Sequence, residues 1–427
     1  MSEHPFSEVV LNKHFRNLWL AQIFSQVAVN MLSFVLAIRV YQETQSNTAV
    51  SLLFLTFGIP SIIFGVFAGG IVDYFDKRSI LFWCNVVRLL LFLGFFLFAS
   101  NIFFLYILAI SFSLVTQIFI PAEAPAIPNL VPKKNLLAAN SLFTISFYLS
   151  TITGFVVAGP ILRIFGGRDV YVFMTVLMGC ASFFAYLLPK MVVKRTTLPL
   201  TFSSLFKGVD DGITFIGRNV RVRQSLILMT FAQSLIMTLS VLTPGFADKI
   251  LSIDLTESSY IVMGPAVIGL VSGALFIGGY GMRFLKGTLI LFGILFTGII
   301  LLCLSLLTRF DSSSYTLAFP NASLVIGTIF PVMILLFLLG MMNSFITVPA
   351  NTILQQDSSG GIRGRVYGVL TALTGGVSII PVVFSGLLAD TIGVGKTLTL
   401  VGGIVFVSGI YHYFQRQRYK VMYSKKG

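Results

Sequence analysis

Gly69-Gly70-Ile71-Val72-Asp73-Tyr74-Phe75-Asp76-Lys77-Arg78 is the stretch that decides how the rest of the chain is read. It breaks an otherwise apolar sequence, with roughly twenty lipid-compatible residues on either side, enough for one membrane crossing each. The paired glycines let neighbouring helices approach closely at the membrane surface. Asp73 closes the first apolar run, and Lys77 and Arg78 open the second. So many opposite charges in one turn suit a local ion-pair network that holds or releases a helix bundle. They equally suit a solvated turn whose positive charge sets topology.

Working outward, the 427 residues are 56% hydrophobic and 10% charged, far below the charged quarter of a typical soluble domain. A soluble fold could not hide that much apolar surface, so the solvent is lipid. The 42 phenylalanines suit a lipid-facing or cavity-lining surface. The net charge of +14 does not imply nucleic acid, because the basic residues are scattered between apolar runs. Topology and contact with anionic membrane lipid explain them better. Cys84, Cys180 and Cys303 all fall inside apolar runs, so no disulfide framework is implied. No cleavable signal precedes the first run, which is expected to act as its own insertion signal.

Twelve spans are expected, at about 16–41, 48–73, 78–100, 102–126, 138–163, 170–189, 223–250, 257–282, 287–310, 323–350, 364–391 and 396–415. Counting Lys and Arg by side places 22 of 29 on the side of both termini, with six opposite and Arg88 inside a span. The positive-inside rule therefore predicts both termini in the cytoplasm of a cell (plasma or inner) membrane. The predicted organisation is a six-span unit over 1–189, a linker over 190–222 and a second six-span unit with a basic tail over 223–427. In the linker, Leu205, Phe206, Val209, Ile213 and Ile216 follow a helical period, which predicts an amphipathic helix on the inner leaflet. Ser203 or Ser204 could cap it. A faint repeat relates the halves: Gly69, Gly70, Phe75 and Lys77 match Gly278, Gly279, Phe284 and Lys286 at a constant offset of 209. Pro121-Ala122 likewise matches Pro349-Ala350. Duplicated six-span halves are an architecture of alternating-access carriers.

The stretch 69–78 resembles the loop signature between spans two and three of the major facilitator superfamily, Gly-x-x-x-Asp-x-x-x-Arg/Lys-Arg/Lys. Asp76 stands where many members have Gly; an acid there is familiar in the macrolide-efflux and enterobactin-exporter branch. Pro121-Ala122, Ile127-Pro128-Asn129-Leu130-Val131-Pro132 and Ala139-Asn140-Ser141 resemble that branch between spans four and five. Gly212-Ile213-Thr214-Phe215-Ile216-Gly217-Arg218-Asn219 and Arg363-Gly364-Arg365-Val366 resemble its central helix and the start of its span eleven. There are departures. Gly154-Phe155-Val156-Val157-Ala158-Gly159 lacks the proline that exporters often carry after the first glycine. No arginine lies in span four, where drug/proton antiporters often have one. The resemblance implies an all-α integral membrane protein of twelve helices in two pseudo-symmetric six-helix bundles. It also implies a gate at Gly69, Gly70, Asp73, Asp76, Lys77 and Arg78.

In such carriers the first and fourth spans of each half line the central cavity. Gln22, Gln26, Asn30 and Ser33 share one face of span one, and Ser113, Thr116 and Glu123 one face of span four. Thr230, Gln233, Ser234 and Thr238 cluster on span seven; Asn343, Thr347 and Asn351 recur every four on span ten. These stripes serve either as cavity lining or as interhelical hydrogen bonds. Ionisable groups inside lipid are costly and functional by default. Glu123, between Pro121 and Pro125, is either a proton-coupling carboxyl or a surface carboxylate near the span's end. Arg88, roughly 15 Å into span three at helical rise, pairs with Glu123 or Asp73, or anchors packing. Asp390 and Arg39 sit at outer ends as interface residues.

The expected function is a secondary active transporter: a proton-coupled exporter of small amphiphilic molecules working by alternating access, with a small-molecule substrate, protons and membrane lipids as partners. It is expected to be a monomer without cofactor, nucleic acid or metal. A lipid or lysophospholipid flippase on the same fold, or a non-transporting sensor, are the alternatives. An enzyme is disfavoured. Gly393-Val394-Gly395-Lys396-Thr397 is not a complete phosphate loop, because the required first glycine falls at Asp390.

Overall fold

The structure, a computed structural model, describes residues 5–72, 75–123, 126–191, 210, 212–280, 284–307, 315–319, 322–326, 329–358 and 360–424. Its helices are α1 (Pro5–Leu11), α2 (Lys13–Thr44), α3 (Asn47–Val72), α4 (Lys77–Leu97), α5 (Ile102–Glu123), α6 (Ile127–Leu130), α7 (Leu136–Tyr186), α8 (Val220–Phe246), α9 (Gly264–Tyr280), α10 (Lys286–Leu307), α11 (Ile329–Asp357), α12 (Gly360–Gly376), α13 (Ile379–Ile392) and α14 (Val394–Ser424). Among the described residues, eleven helices are long and apolar enough to cross a membrane. One of them runs continuously through α7 and holds two crossings, because Gly166 (φ 82°, ψ 172°) breaks the helix. That left-handed φ is open to glycine at no steric cost. The chain is thus a twelve-span membrane fold whose crossings are all helical.

Polar residues set where the spans begin. The Asn12 side chain accepts from the N–H groups of His14 (3.0 Å) and Phe15 (3.3 Å) at the head of α2. Asp76 caps α4 and Asn219 caps α8, the latter accepting from the Val222 N–H at 3.2 Å. Such caps satisfy N–H groups that have no partner inside the helix. The second half of the sequence repeat is visible here, since Lys77 and Lys286 each open a helix, of 21 and 22 residues.

One expected boundary is corrected. Span ten does not start at 323: Ala322–Ile326 is a short strand paired antiparallel with Tyr315–Phe319, and the helix starts at Ile329. A five-residue apolar run carries no period that separates strand from helix. Of the expected linker helix, Ile213 and Ile216 lie in a helical turn over 212–218. Ser203, Ser204, Leu205, Phe206 and Val209 lie outside the described residues.

The chain divides into two compact units. Unit 1 comprises Met1–Thr44, Leu52–Arg218 and Gly361–Ile379; unit 2 comprises Gln45–Ser51, Asn219–Gly360 and Ile380–Gly427. The main division falls between Arg218 and Asn219, while two short segments of spans two and eleven group with the unit that holds the other half of the sequence.

In unit 1, α2 packs along α7. A Cβ on Gly154 would lie 2.7 Å from the Asn30 Cβ and 2.9 Å from the Val27 carbonyl oxygen, so only glycine permits that approach. Phe15, Leu18, Phe119 and Ala139 belong to one buried apolar core of this unit. Outside the spans, α1 is tied back by Glu8, which accepts from the Asn135 Nδ2 at 2.9 Å and pairs with the Lys134 Nζ at 3.0 Å. These contacts hold the Glu8 carboxyl below its usual range, the Asn135 hydrogen bond contributing most.

Unit 2 has an even tighter crossing between α9 and α11. A Cβ on Gly269 would overlap the Phe337 carbonyl, and one on Gly340 the Ala266 carbonyl. Small residues at such a crossing let van der Waals packing replace the hydrophobic drive that is absent in lipid.

Candidate functional site

The loop signature is used for helix ends. The Asp76 carboxylate accepts from the Arg78 N–H (3.4 Å), the Ser79 hydroxyl (3.0 Å) and the Met191 N–H (2.9 Å). One acid thus caps span three and ties down the chain just after span six. The Arg78 guanidinium donates to the Tyr186 carbonyl at 2.8 Å and lies 5.4 Å from that ring's centre. A cation at a helix C-terminus is favoured by the exposed carbonyls there. Lys77 is the first residue of α4. Gly69 and Gly70 lie in the last turn of α3. Asp73, the centre of the expected ion-pair network, lies outside the described residues.

Inside unit 1 a polar cluster sits at the depth of Arg88. This arginine is 1% exposed, and its guanidinium lies 4.1 Å from the centre of the Phe119 ring and 5.5 Å from that of Phe112. Its Nη1 donates to the Ser25 hydroxyl at 3.3 Å, while Nε has no partner. Glu123 is 8% exposed; it and Arg88 interact through space rather than as a direct ion pair. One turn along α4, Asn85 is fully buried with neither amide atom partnered. Two aromatic faces and one hydroxyl soften the cost of the buried charge, but the Nε donor is left over.

The stripes divide between the two roles left open by the sequence. Gln22 is buried, donates to the Phe143 carbonyl at 3.3 Å and leaves Oε1 unpartnered. Asn30, half-buried, donates to the Gln26 carbonyl one turn back, and Gln26 is half-buried. The Ser113 hydroxyl is committed to the Phe57 carbonyl of span two at 3.1 Å, and Thr116 to Phe112 within its own helix. In unit 2, Asn343 donates to the Ala232 carbonyl at 3.1 Å, bridging spans ten and seven, with Oδ1 unpartnered. Thr347 bonds back to the Asn343 carbonyl, the buried Thr230 hydroxyl has no partner, Thr238 is buried and Gln233 is half-buried. Asn85 and Ser25 escaped sequence reasoning. The available signal was the three-residue spacing of Asn85 and Arg88, which puts both on one face of span three.

Residues 18–334 match the family model of the Major Facilitator Superfamily. The uncharacterized MFS-type transporter YfiS of Bacillus subtilis (strain 168) is 23% identical over 416 residues, 92% of each chain. A mutant of the nucleoside transporter NupG superposes with a TM-score of 0.75 at 12% identity, over 93% of this chain and 98% of that one. A bacterial homolog to the human lysosomal transporter Spinster, inward-facing and unoccupied, gives 0.69 at 12% identity, covering 98% of both. At these identities the solved structures speak for the fold alone. With the family model spanning most of the sequence, the chain belongs to the major facilitator superfamily: it is a multi-pass membrane transporter, not an enzyme.

Proposed function

We propose that this transporter is a proton-coupled exporter of small amphiphilic molecules, seated in the cell membrane with both termini in the cytoplasm and working as a monomer by alternating access. The observation that carries this reading is the cluster of Arg88, Asn85, Ser25 and Glu123 inside the first bundle. Buried polar atoms are nearly always hydrogen-bonded, so the unpartnered Asn85 amide and Arg88 Nε suit a group that enters the bundle during the cycle. Glu123 is the acid beside them, and a carboxyl that meets water in one state and apolar surroundings in another can take up and release a proton. The half-buried amides Gln26 and Asn30 in unit 1 and Gln233 in unit 2 suit neutral or weakly amphiphilic substrates. The resemblance of Asp76 and its neighbours to the efflux branch supports the outward direction, and the excess of Lys and Arg on the terminal side supports the orientation.

The test is uphill flux in proteoliposomes under an imposed pH gradient, using candidates from a growth screen of an efflux-deficient host. Glu123→Gln is expected to abolish uphill export while downhill exchange continues. Uphill transport by that variant at the wild-type rate would remove Glu123 from the coupling.

A further inference from the structure

Unit 2 holds a cavity of about 890 Å³ at the end where α8 and α10 begin, within the range of about 300–1,000 Å³ typical of ligand pockets. None of the candidate substrate residues on spans seven and ten lines it. Its deep wall is apolar, made by Leu228 and Phe231 of α8, Ile290 and Ile294 of α10 and Ile353 of α11. Its mouth is charged and of mixed sign, with Arg221, Lys286 and Asp357 on three different helices. The Lys286 ammonium donates to the Gln356 side chain, which keeps it at the mouth beside Asp357. Ile294 lies eight residues beyond Lys286, so the apolar part reaches about 12 Å below the charges at helical rise. Phe284, Leu285 and Lys286, which edge the cavity, belong to the second copy of the loop repeated from the first half.

The geometry points to a binding site for a phospholipid, one acyl chain along Leu228, Phe231 and Ile294 and the head group at the mouth. Arg221 and Lys286 meet the phosphate diester, whose charge they complement. Asp357 then needs a donor on the same head group, because a carboxylate only accepts. Phosphatidylethanolamine offers N–H donors and phosphatidylglycerol hydroxyls; phosphatidylcholine, with a quaternary nitrogen, offers neither. The site therefore selects lipids by head-group donors and not by net charge, since one of the two favoured lipids is zwitterionic and the other anionic.

The full-length protein, stripped of lipid in detergent, would be offered equal amounts of the three lipids, and the adducts counted by native mass spectrometry. Phosphatidylethanolamine and phosphatidylglycerol are each expected to be retained about tenfold or more over phosphatidylcholine, the worth of a hydrogen bond to a charged group. Asp357→Leu should erase the preference, Asp357→Glu should keep it, and Arg221→Gln with Lys286→Gln should lower retention of all three. Ile294→Trp, filling the apolar end, should also lower retention. Equal retention of the three lipids by the wild type overturns the proposal whether or not any variant folds. So does an unchanged preference in a well-folded Asp357→Leu protein, or displacement of the adducts by inorganic phosphate, which would mark a site for free phosphate. The readout involves no transport, so it stands apart from the proposed coupling.

Discussion

Asp390 caps a helix that begins more than three hundred residues before it: its Oδ1 accepts the Asn47 N–H at 2.8 Å. Oδ2 takes the Thr48 N–H at 2.9 Å and the Ser46 hydroxyl, and the Asn47 Nδ2 adds a fourth bond at 3.1 Å. Gly386, one turn earlier, lets this happen, since a Cβ there would stand 2.7 Å from the Asn47 carbonyl oxygen. Within unit 2 the carboxylate does the work a local Ser or Asp cap usually does. Asp390→Ala should cost about 0.5–2 kcal/mol, and Asp390→Asn less, because an amide oxygen still accepts. Thermal unfolding in detergent would check both. A melting temperature unchanged in Asp390→Ala would mean the cap carries no stability.

Asp76 makes a similar prediction in unit 1, with a distinguishing second part. Asp76→Ala should lose about 1 kcal/mol as a missing N-cap. Asp76→Asn should recover most of the cap, because its oxygen can still accept from Arg78 and Met191. Melting curves of the two variants, together with hydrogen exchange at the Met191 amide, would separate capping from charge. Equal loss in both would assign the effect to charge.

Asn85 separates structure from function. Replacing a buried amide that has no partner by Leu removes a desolvation cost of about 1–3 kcal/mol, so Asn85→Leu should melt higher than wild type. If the amide serves the transport cycle, the same variant should move substrate more slowly. A variant both stabler and fully active would exclude Asn85 from the cycle.

At the α9–α11 crossing, overpacking should dominate. Gly340→Leu places atoms where the Ala266 carbonyl already stands, and overpacking costs about 1–3 kcal/mol, occasionally more. Loss of the monodisperse peak on size exclusion, with Gly403→Leu as a control whose Cβ meets nothing within 4 Å, is the expected result.

The α1 clamp should depend on pH. The folded Glu8 carboxyl titrates below its unfolded value, which for a free glutamate is about 4.3. Its contribution is therefore complete above that value and fades as pH falls through the lower, folded one. Hydrogen-exchange protection in residues 5–11, taken relative to the intrinsic exchange rate at each pH, should fall on acidification below about pH 4, and Glu8→Gln should flatten that response. Protection independent of pH in the wild type would show that the clamp does not hold α1.

Much of this protein is determined by local sequence. An apolar run of about twenty residues has one stable answer in lipid, a helix, because every backbone polar group must be satisfied internally. The twelve crossings therefore follow from composition, as does the role of the stretch around Asp76 and Arg78 as a junction between spans. Even Gly166, which splits the longest helix, sits where the sequence predicts a break. Partnership between distant residues is another matter. Ser113 and Thr116 look alike on one helical face, yet only packing against span two commits Ser113 to the Phe57 carbonyl. Asn85 carries no local mark that both its amide atoms would be buried without a partner. The Asp390 cap and the cavity mouth shared by Arg221, Lys286 and Asp357 join residues tens to hundreds of positions apart. Helical period says which residues share a face; which face meets which is settled by close crossings such as Gly154 on Asn30 and Gly340 on Ala266, where the absence of a single Cβ decides how near two backbones can come.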